Sequence, residues 1–115
     1  MNTKQQQYYK EHIQFVTNKL GITDTQYNDF KRIANKLHTY FENDCNGYKD
    51  ALGRWSEELT NKAEIAEAEL MEQATEMAKD LGLFIYFQTD PRGATIYLDT
   101  QEIPENSYNN ASCIY

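Results

Sequence analysis

The sequence predicts an α+β fold in which a helical hairpin and an extra N-terminal helix pack on a small three-stranded antiparallel β-meander. Amphipathic segments with helix-capping signals fill roughly the first two thirds of the chain, a β-turn between two apolar runs follows, and a short alternating segment closes the 115 residues. At this length a single domain is expected. Its parts would be an N-terminal helix over 1–22, the helical hairpin over 23–81 and the β-meander over 82–115.

The first helix is predicted to run from about Lys4 to Leu20. Thr3 and Gln6 have the spacing of a capping box, and Gly21 stands where a helix-ending glycine is favoured. The apolar positions recur at steps of three and four residues: Tyr9, Ile13, Val16 and Leu20.

The second helix has the clearest amphipathic pattern in the chain. Thr23 and Gln26 form another capping box, and Cys45-Asn46-Gly47 is expected to end the helix near Asp44. Its apolar positions also recur at short helical steps: Tyr27, Phe30, Ile33, Ala34, Leu37, Tyr40 and Phe41.

The third helix is expected to start at Trp55 or Ser56 and to end at Leu81, a length of ~39 Å. One face carries apolar residues at helical spacing: Leu59, Ala63, Ala66, Leu70, Met77 and Leu81. Small side chains on this helix would let the second helix approach closely, joined to it through residues 45–54. Glutamates fill most other positions, either as a solvated face or as an acidic surface that mimics nucleic acid.

Residues 88–97 predict a β-hairpin with an arginine at its tip. Asp90 can bond to the backbone two residues on, Pro91 fixes φ for a type I turn, and Gly93 accepts positive φ. A hairpin with a glycine bulge is therefore expected. Three runs have strand character: residues 83–87, 94–98 and 112–115.

Charge is distributed unevenly over a chain whose net charge is −7. Residues 1–38 hold six lysines and arginines against three acids, residues 39–80 hold four against eleven, and residues 81–115 hold one against four. Direct binding to nucleic acid or to an anionic membrane is not expected, because phosphate contacts need a basic face. Without a leader or an apolar run near the ~20 residues of a membrane span, a cytoplasmic protein is expected.

Catalytic and metal-binding signatures are missing from the sequence. The chain lacks a Ser/His/Asp or Cys/His set and a phosphate-cradling glycine loop. Glu42, Asp44, Cys45 and Asn46 include metal-ligand types, but no histidine or second cysteine stands at ligand spacing. A non-catalytic protein without cofactor or metal is expected.

Two stretches of the sequence stand out together. The first comprises Leu37-His38, Glu42, Asp44 and Cys45-Asn46-Gly47, and the second comprises residues 88–94 with Tyr97. They resemble the signature segments of small uncharacterised proteins of tailed bacteriophages and prophages, and the likeness covers roughly residues 30–115. The chain departs from that pattern at Ala94 and Ser112, where family members often have cysteine and glycine. The resemblance implies an accessory protein in the cytoplasm of an infected bacterium.

Two groups of residues are candidates for binding. The hairpin is either a plain turn with a solvated arginine or a site where Arg92 clamps a phosphate or carboxylate beside stacking tyrosines. This ligand-binding group consists of Asp90, Arg92, Gly93, Tyr97 and Tyr108. The second group is an interaction surface that consists of Glu64, Glu67, Glu72, Cys45 and Asn46.

Three functions agree with these patterns. The leading one is a protein that binds and modulates or inhibits a host or defence protein, with a homo-oligomer formed through the helical hairpin. The alternatives are a module that sequesters a small anionic ligand such as a signalling nucleotide, and a structural or assembly component of the virion. The helix and strand lengths place Arg92 midway along the third helix and Cys45-Asn46-Gly47 at the far end of the hairpin. The two signature segments are therefore not expected to touch within one subunit.

Overall fold

The computed structural model describes residues 3–46, 48–49, 51–90, 93–104 and 111–114. Three helices and three antiparallel strands follow one another, which confirms the α+β class. The elements are α1 (Thr3–Leu20), α2 (Asp24–Asn46), α3 (Glu57–Asp80), β1 (Phe84–Asp90), β2 (Gly93–Asp99) and β3 (Ser112–Ile114). In the described part of the chain, none of the helices has both the length and the apolar character needed to cross a bilayer.

Polar side chains hold the first turns of α2 and α3. The backbone N–H of Thr23 donates to Oε1 of Gln26 at 2.9 Å, and the N–H of Gln26 donates to Oγ1 of Thr23 at 3.1 Å. Oγ of Ser56 accepts from the N–H of Leu59 at 3.2 Å and caps α3. The capping box predicted for the second helix is confirmed. The third helix begins one residue after its cap, Ser56.

The helices end in two ways. Gly21 follows α1 with φ 69° and Gly82 follows α3 with φ 70°, which is the left-handed backbone that glycine adopts without strain. In contrast, α2 continues through Cys45 and Asn46, two residues beyond the predicted end at Asp44. Cysteine and asparagine cost only a few tenths of a kcal/mol more than the better helix formers, so the last turn tolerates them.

The sheet is an antiparallel meander in the order β1-β2-β3. β1 and β2 pair without interruption from Phe84 opposite Asp99 to Asp90 opposite Gly93. Only residues 91 and 92 join the two strands, so the predicted glycine bulge is wrong. The shorter connection keeps the strands in register up to the turn, and Gly93 enters β2 with φ 147°, an angle that other residues rarely adopt.

α2 lies at the centre of the fold, in contact with α1, α3, β2 and β3. Its apolar stripe supplies deeply buried side chains, since Tyr27 is 1% exposed and both Phe30 and Leu37 are fully buried. Ile96 and Leu98 of β2 are also fully buried in the same apolar cluster. Burying each large apolar side chain contributes roughly 1.5–3 kcal/mol, so this stripe is the main source of stability.

α1 packs on the core through its C-terminal half. Val16 and Leu20 are buried, whereas residues 3–10 are exposed throughout. Nε2 of His12 donates to the carbonyl oxygen of Cys113 in β3 at 3.2 Å, which ties the middle of α1 to the sheet. The N-terminal half of α1 therefore contributes little to the core.

Gly93 lies directly against the side chain of His38 on α2. A Cβ added to Gly93 would lie 2.9 Å from Cγ of His38 and would overlap its Nδ1 and Cε1 atoms. His38 of the first signature segment thus touches Gly93 of the second within one chain, because β2 packs on α2. The expected separation of Arg92 from Cys45-Asn46-Gly47 falls on residues outside the described ranges. Asn46 lies eight residues beyond His38, ~12 Å further along α2.

We expect Gly93→Ala to lower the free energy of unfolding by about 2–5 kcal/mol, because a strained φ and an overlap with His38 add together. Urea unfolding followed by circular dichroism measures this loss. Gly82→Ala is the matched control, since Gly82 also has positive φ but has no neighbouring atom within 4 Å of the added Cβ. The control should lose only about 1 kcal/mol.

A second substitution, His38→Ala, separates the two causes. In the Gly93→Ala background it should restore at least about 1 kcal/mol, because it removes the overlap and leaves the strained φ. Equal losses in Gly93→Ala and Gly82→Ala, with no recovery in the double variant, would contradict the contact.

Candidate interaction surface

The outer face of α3 combines carboxylates with an exposed isoleucine. With about 3.6 residues per turn, five residues form one stripe directly opposite the buried alanines of the helix. We call this stripe the outer stripe, and it consists of Glu58, Ile65, Glu69, Glu72 and Glu76. All five are exposed, and Ile65 has 61% of its surface accessible.

The outer stripe carries a concentrated negative charge. Glu58 pairs with Lys62 at 3.1 Å, but both side chains are so exposed that the pair contributes little to stability. Within the described residues, Glu69, Glu72 and Glu76 form no salt bridge. These three carboxylates lie within ~10 Å along the helix axis and attract a cationic partner.

Glu67 does not belong to this exposed surface, and the exposure expected of it is wrong. Only 7% of its surface is accessible. The helical repeat explains the difference, because Glu67 follows Ala63 by four residues and precedes Ala74 by seven. All three residues are buried on the same face of α3.

The other two glutamates of the predicted interaction surface differ in their position around the helix. Glu64 and Glu72 are both exposed. Only Glu72 lies in the outer stripe, since Glu64 is rotated by about 100° from Ile65 around the helix axis.

Hydrogen bonds link the described residues between α2 and α3 to one another and to α2. The N–H of Ser56 donates to the carbonyl of Tyr48 at 2.8 Å, and Lys49 and Trp55 form an antiparallel bridge. The hydroxyl of Tyr48 donates to the carbonyl of Tyr40 in α2 at 3.2 Å. Trp55 is therefore mounted on a bonded segment that is anchored to both helices.

Three large apolar side chains are exposed where α3 begins. Leu52 is 75% exposed, Trp55 63% and Leu59 38%. We call these three residues the apolar end. Exposed apolar groups that lie near one another in sequence are typical of protein-binding surfaces, and tryptophan is among the residues that contribute most to binding energy.

Sequence reasoning proposed an acidic interaction surface on this helix, but it identified neither Ile65 nor the apolar end as part of a binding surface. Ile65 carried a signal, because it interrupts a polar run on the face opposite the apolar positions of the third helix. For Leu52 and Trp55 the signal was weaker, since exposure in a connecting segment depends on how that segment folds.

Cys45 and Asn46 lie in the last turn of α2, the end of the helical hairpin where Tyr48 bonds to Ser56. The backbone thus places both residues at the same end of the hairpin as the apolar end. Their side chains lie outside what the structure describes.

The structure describes only part of the predicted ligand-binding group. Asp90 and Gly93 pair at the end of the ladder, whereas Arg92 and Tyr108 lie outside the described residues. Tyr97 is half-buried, and its hydroxyl donates to Oε1 of Gln88 at 3.0 Å. The space next to Gly93 is occupied by His38, so these atoms do not leave an open site beside Gly93.

Over the described ranges, no group of three or more histidine, cysteine, aspartate or glutamate side chains is arranged to hold a metal ion. Comparison of the chain with protein-family models, with curated proteins and with solved structures found no match.

The exposure of Trp55, the single tryptophan of the chain, can be measured directly. We expect a fluorescence maximum close to that of tryptophan in water, because the side chain is 63% exposed. Quenching by acrylamide should be nearly as efficient in the folded protein as in urea. A blue-shifted, poorly quenched signal would contradict this exposure, and size-exclusion chromatography at the same concentration would show whether a second copy covers Trp55.

Proposed function

We propose that the chain is a non-catalytic accessory protein, of the kind that tailed bacteriophages and prophages encode, which binds and modulates or inhibits a host or defence protein in the bacterial cytoplasm. The likeness of its two signature segments to such proteins supports the setting. The observation that carries the proposal is the apolar end, with Leu52 and Trp55 more than half exposed beside an acidic helix.

The chemistry of these residues defines the kind of partner. An apolar pocket would take Trp55 and exclude water around it, which is how a few aromatic residues supply most of the energy of an interface. Lysine and arginine residues about 20 Å from that pocket would meet Glu69 and Glu72, which lie ~18 and ~23 Å along α3 from Glu57. Such attraction speeds association and fixes the register. The partner is therefore a protein with an apolar pocket next to a basic surface.

Binding to such a basic surface would inhibit the partner, because the surface would no longer be open to its own ligand. Basic grooves in bacterial proteins commonly bind nucleic acid or other phosphates, because these ligands need neutralising cations. Carboxylates recur along the outer stripe at Glu69, Glu72 and Glu76, at axial steps of ~4.5 and ~6 Å. A helix of this kind competes with a phosphate ligand for the same cations.

The apolar end is tested by the affinity of Trp55→Ala. A tagged protein first identifies its partner in a host lysate, and the purified pair is then measured by biolayer interferometry. We expect Trp55→Ala to weaken binding by about 30-fold or more, as for a central aromatic residue of an interface. Tyr8→Ala is the control, because Tyr8 is an exposed aromatic residue on α1, away from the apolar end. Unchanged affinity in Trp55→Ala would exclude the apolar end from the interface.

The outer stripe is tested by reversing charges at two positions. Glu69→Lys with Glu72→Lys should weaken binding most strongly at low salt, because the lost attraction is screened by ions. Glu64→Lys with Glu57→Lys makes the same charge change on exposed residues outside the stripe. Equal losses in the two double variants would show that net charge matters and that the stripe does not.

A further inference from the structure

A groove of about 740 Å³ lies between the N-terminal half of α1, the middle of α2 and the sheet. Its volume is within the ~300–1,000 Å³ range of small-molecule sites. On α2 the groove is lined by Lys31, Asn35 and His38, roughly on the opposite side of the helix from Lys36 and Tyr40, which lie against α3. The groove is therefore separate from the apolar end and the outer stripe.

Small residues create the space at the bottom of the groove. Ala34 of α2 and Ala94 of β2 are buried there, together with Ile114 of β3. Ile13 of α1 packs against the same cluster and closes one side. An apolar floor of this kind takes a planar ring, since the ring is removed from water without leaving polar groups unsatisfied.

The two walls of the groove carry its polar groups. Gln6, Tyr9 and Lys10 line it from α1, and Lys31, Asn35 and His38 line it from α2. The α2 residues follow the four- and three-residue steps of one helix face, so they extend over ~10 Å of groove. A groove of this length can hold a ligand that consists of an aromatic ring and one charged substituent.

The charge of the groove is opposite to that of the chain. Two lysines line it, none of its described lining residues is acidic, and the whole chain has a net charge of −7. Neither Lys10 nor Lys31 forms a salt bridge within the described ranges of the chain. Nζ of Lys31 instead lies 5.7 Å from the ring centre of Tyr9, a cation–π contact across the groove.

We infer that this groove binds a small aromatic phosphate of the mononucleotide class. The base lies on the floor formed by Ala34 and Ala94, with Tyr9 beside it. The phosphate lies between Lys10 and Lys31, which approach it from the two helices as point charges. Asn35 supplies the amide that hydrogen-bonds an edge of the base.

Isothermal titration calorimetry with AMP, GMP, CMP and UMP tests the inference. We expect saturable binding of at least one of them with a Kd between micromolar and millimolar values. Adenosine or guanosine and inorganic phosphate, each of which keeps half of the contacts, should bind at least about tenfold more weakly than the matching nucleotide. Absence of saturation by all four nucleotides at millimolar concentration would overturn the inference.

Lysine variants test whether the nucleotide binds in the groove. Lys31→Gln and Lys10→Gln should each weaken nucleotide binding by about tenfold, the usual loss of one charge-assisted contact. Lys36→Gln removes the same charge from the other side of α2 and should change the affinity by less than about threefold. Equal effects of Lys31→Gln and Lys36→Gln would overturn the assignment to this groove.

Two further tests locate the binding site without changing its charge: a bulky substitution in the groove and an NMR titration. Asn35→Trp puts a large side chain on an exposed position of the wall and should abolish binding while the melting temperature is kept. In an amide NMR titration with the bound nucleotide, the largest shifts should fall on Lys31, Asn35 and Thr95. Shifts confined to α3, or tighter binding of a single-stranded oligonucleotide than of the mononucleotide, would overturn the inference and leave the protein-binding proposal unaffected.

Discussion

Burial of the apolar stripe of α2 is the interaction on which the rest of the structure depends. Phe30 and Leu37 have no accessible surface, and they belong to one cluster with Ile96 and Leu98 of the sheet. α1, α3, β2 and β3 all contact this one helix. Because each large buried side chain contributes roughly 1.5–3 kcal/mol, no neighbour could leave α2 without exposing a substantial part of the stabilising surface.

The outer stripe and the groove both follow from the way in which α2 is covered. α3 contributes small residues such as Ala74 and Ala78 to its buried face, which leaves its opposite side available for carboxylates and Ile65. α1 covers α2 only with its C-terminal half, so a groove remains under residues 3–10. Neither surface is needed to hold the core together, and substitutions on them are therefore expected to change binding more than stability.

Local chemistry predicted the helices well, because a capping box such as Thr23 with Gln26 is complete within four residues. The contact of Gly93 with His38 was missed, since it depends on β2 packing on α2 across more than fifty residues of chain. Among the glutamates of the predicted interaction surface, Glu72 is exposed and Glu67 is buried. The four-residue step of Glu67 from Ala63 already put it on the buried face.

A basic groove and an acidic stripe can function side by side because α2 stands between them. The axis of α3 lies ~8–10 Å beyond that of α2, as in packed helix pairs generally, and Glu72 and Glu76 are on the far side of α3. These two carboxylates are therefore further from the groove than the ~8 Å Debye length at physiological salt, and their repulsion of an anion there is largely screened. Lys10 and Lys31 act on that anion at contact distance, where screening is weak. An acidic chain can thus attract a cationic protein on one side and hold a phosphate on the other, and neither interaction works against the other.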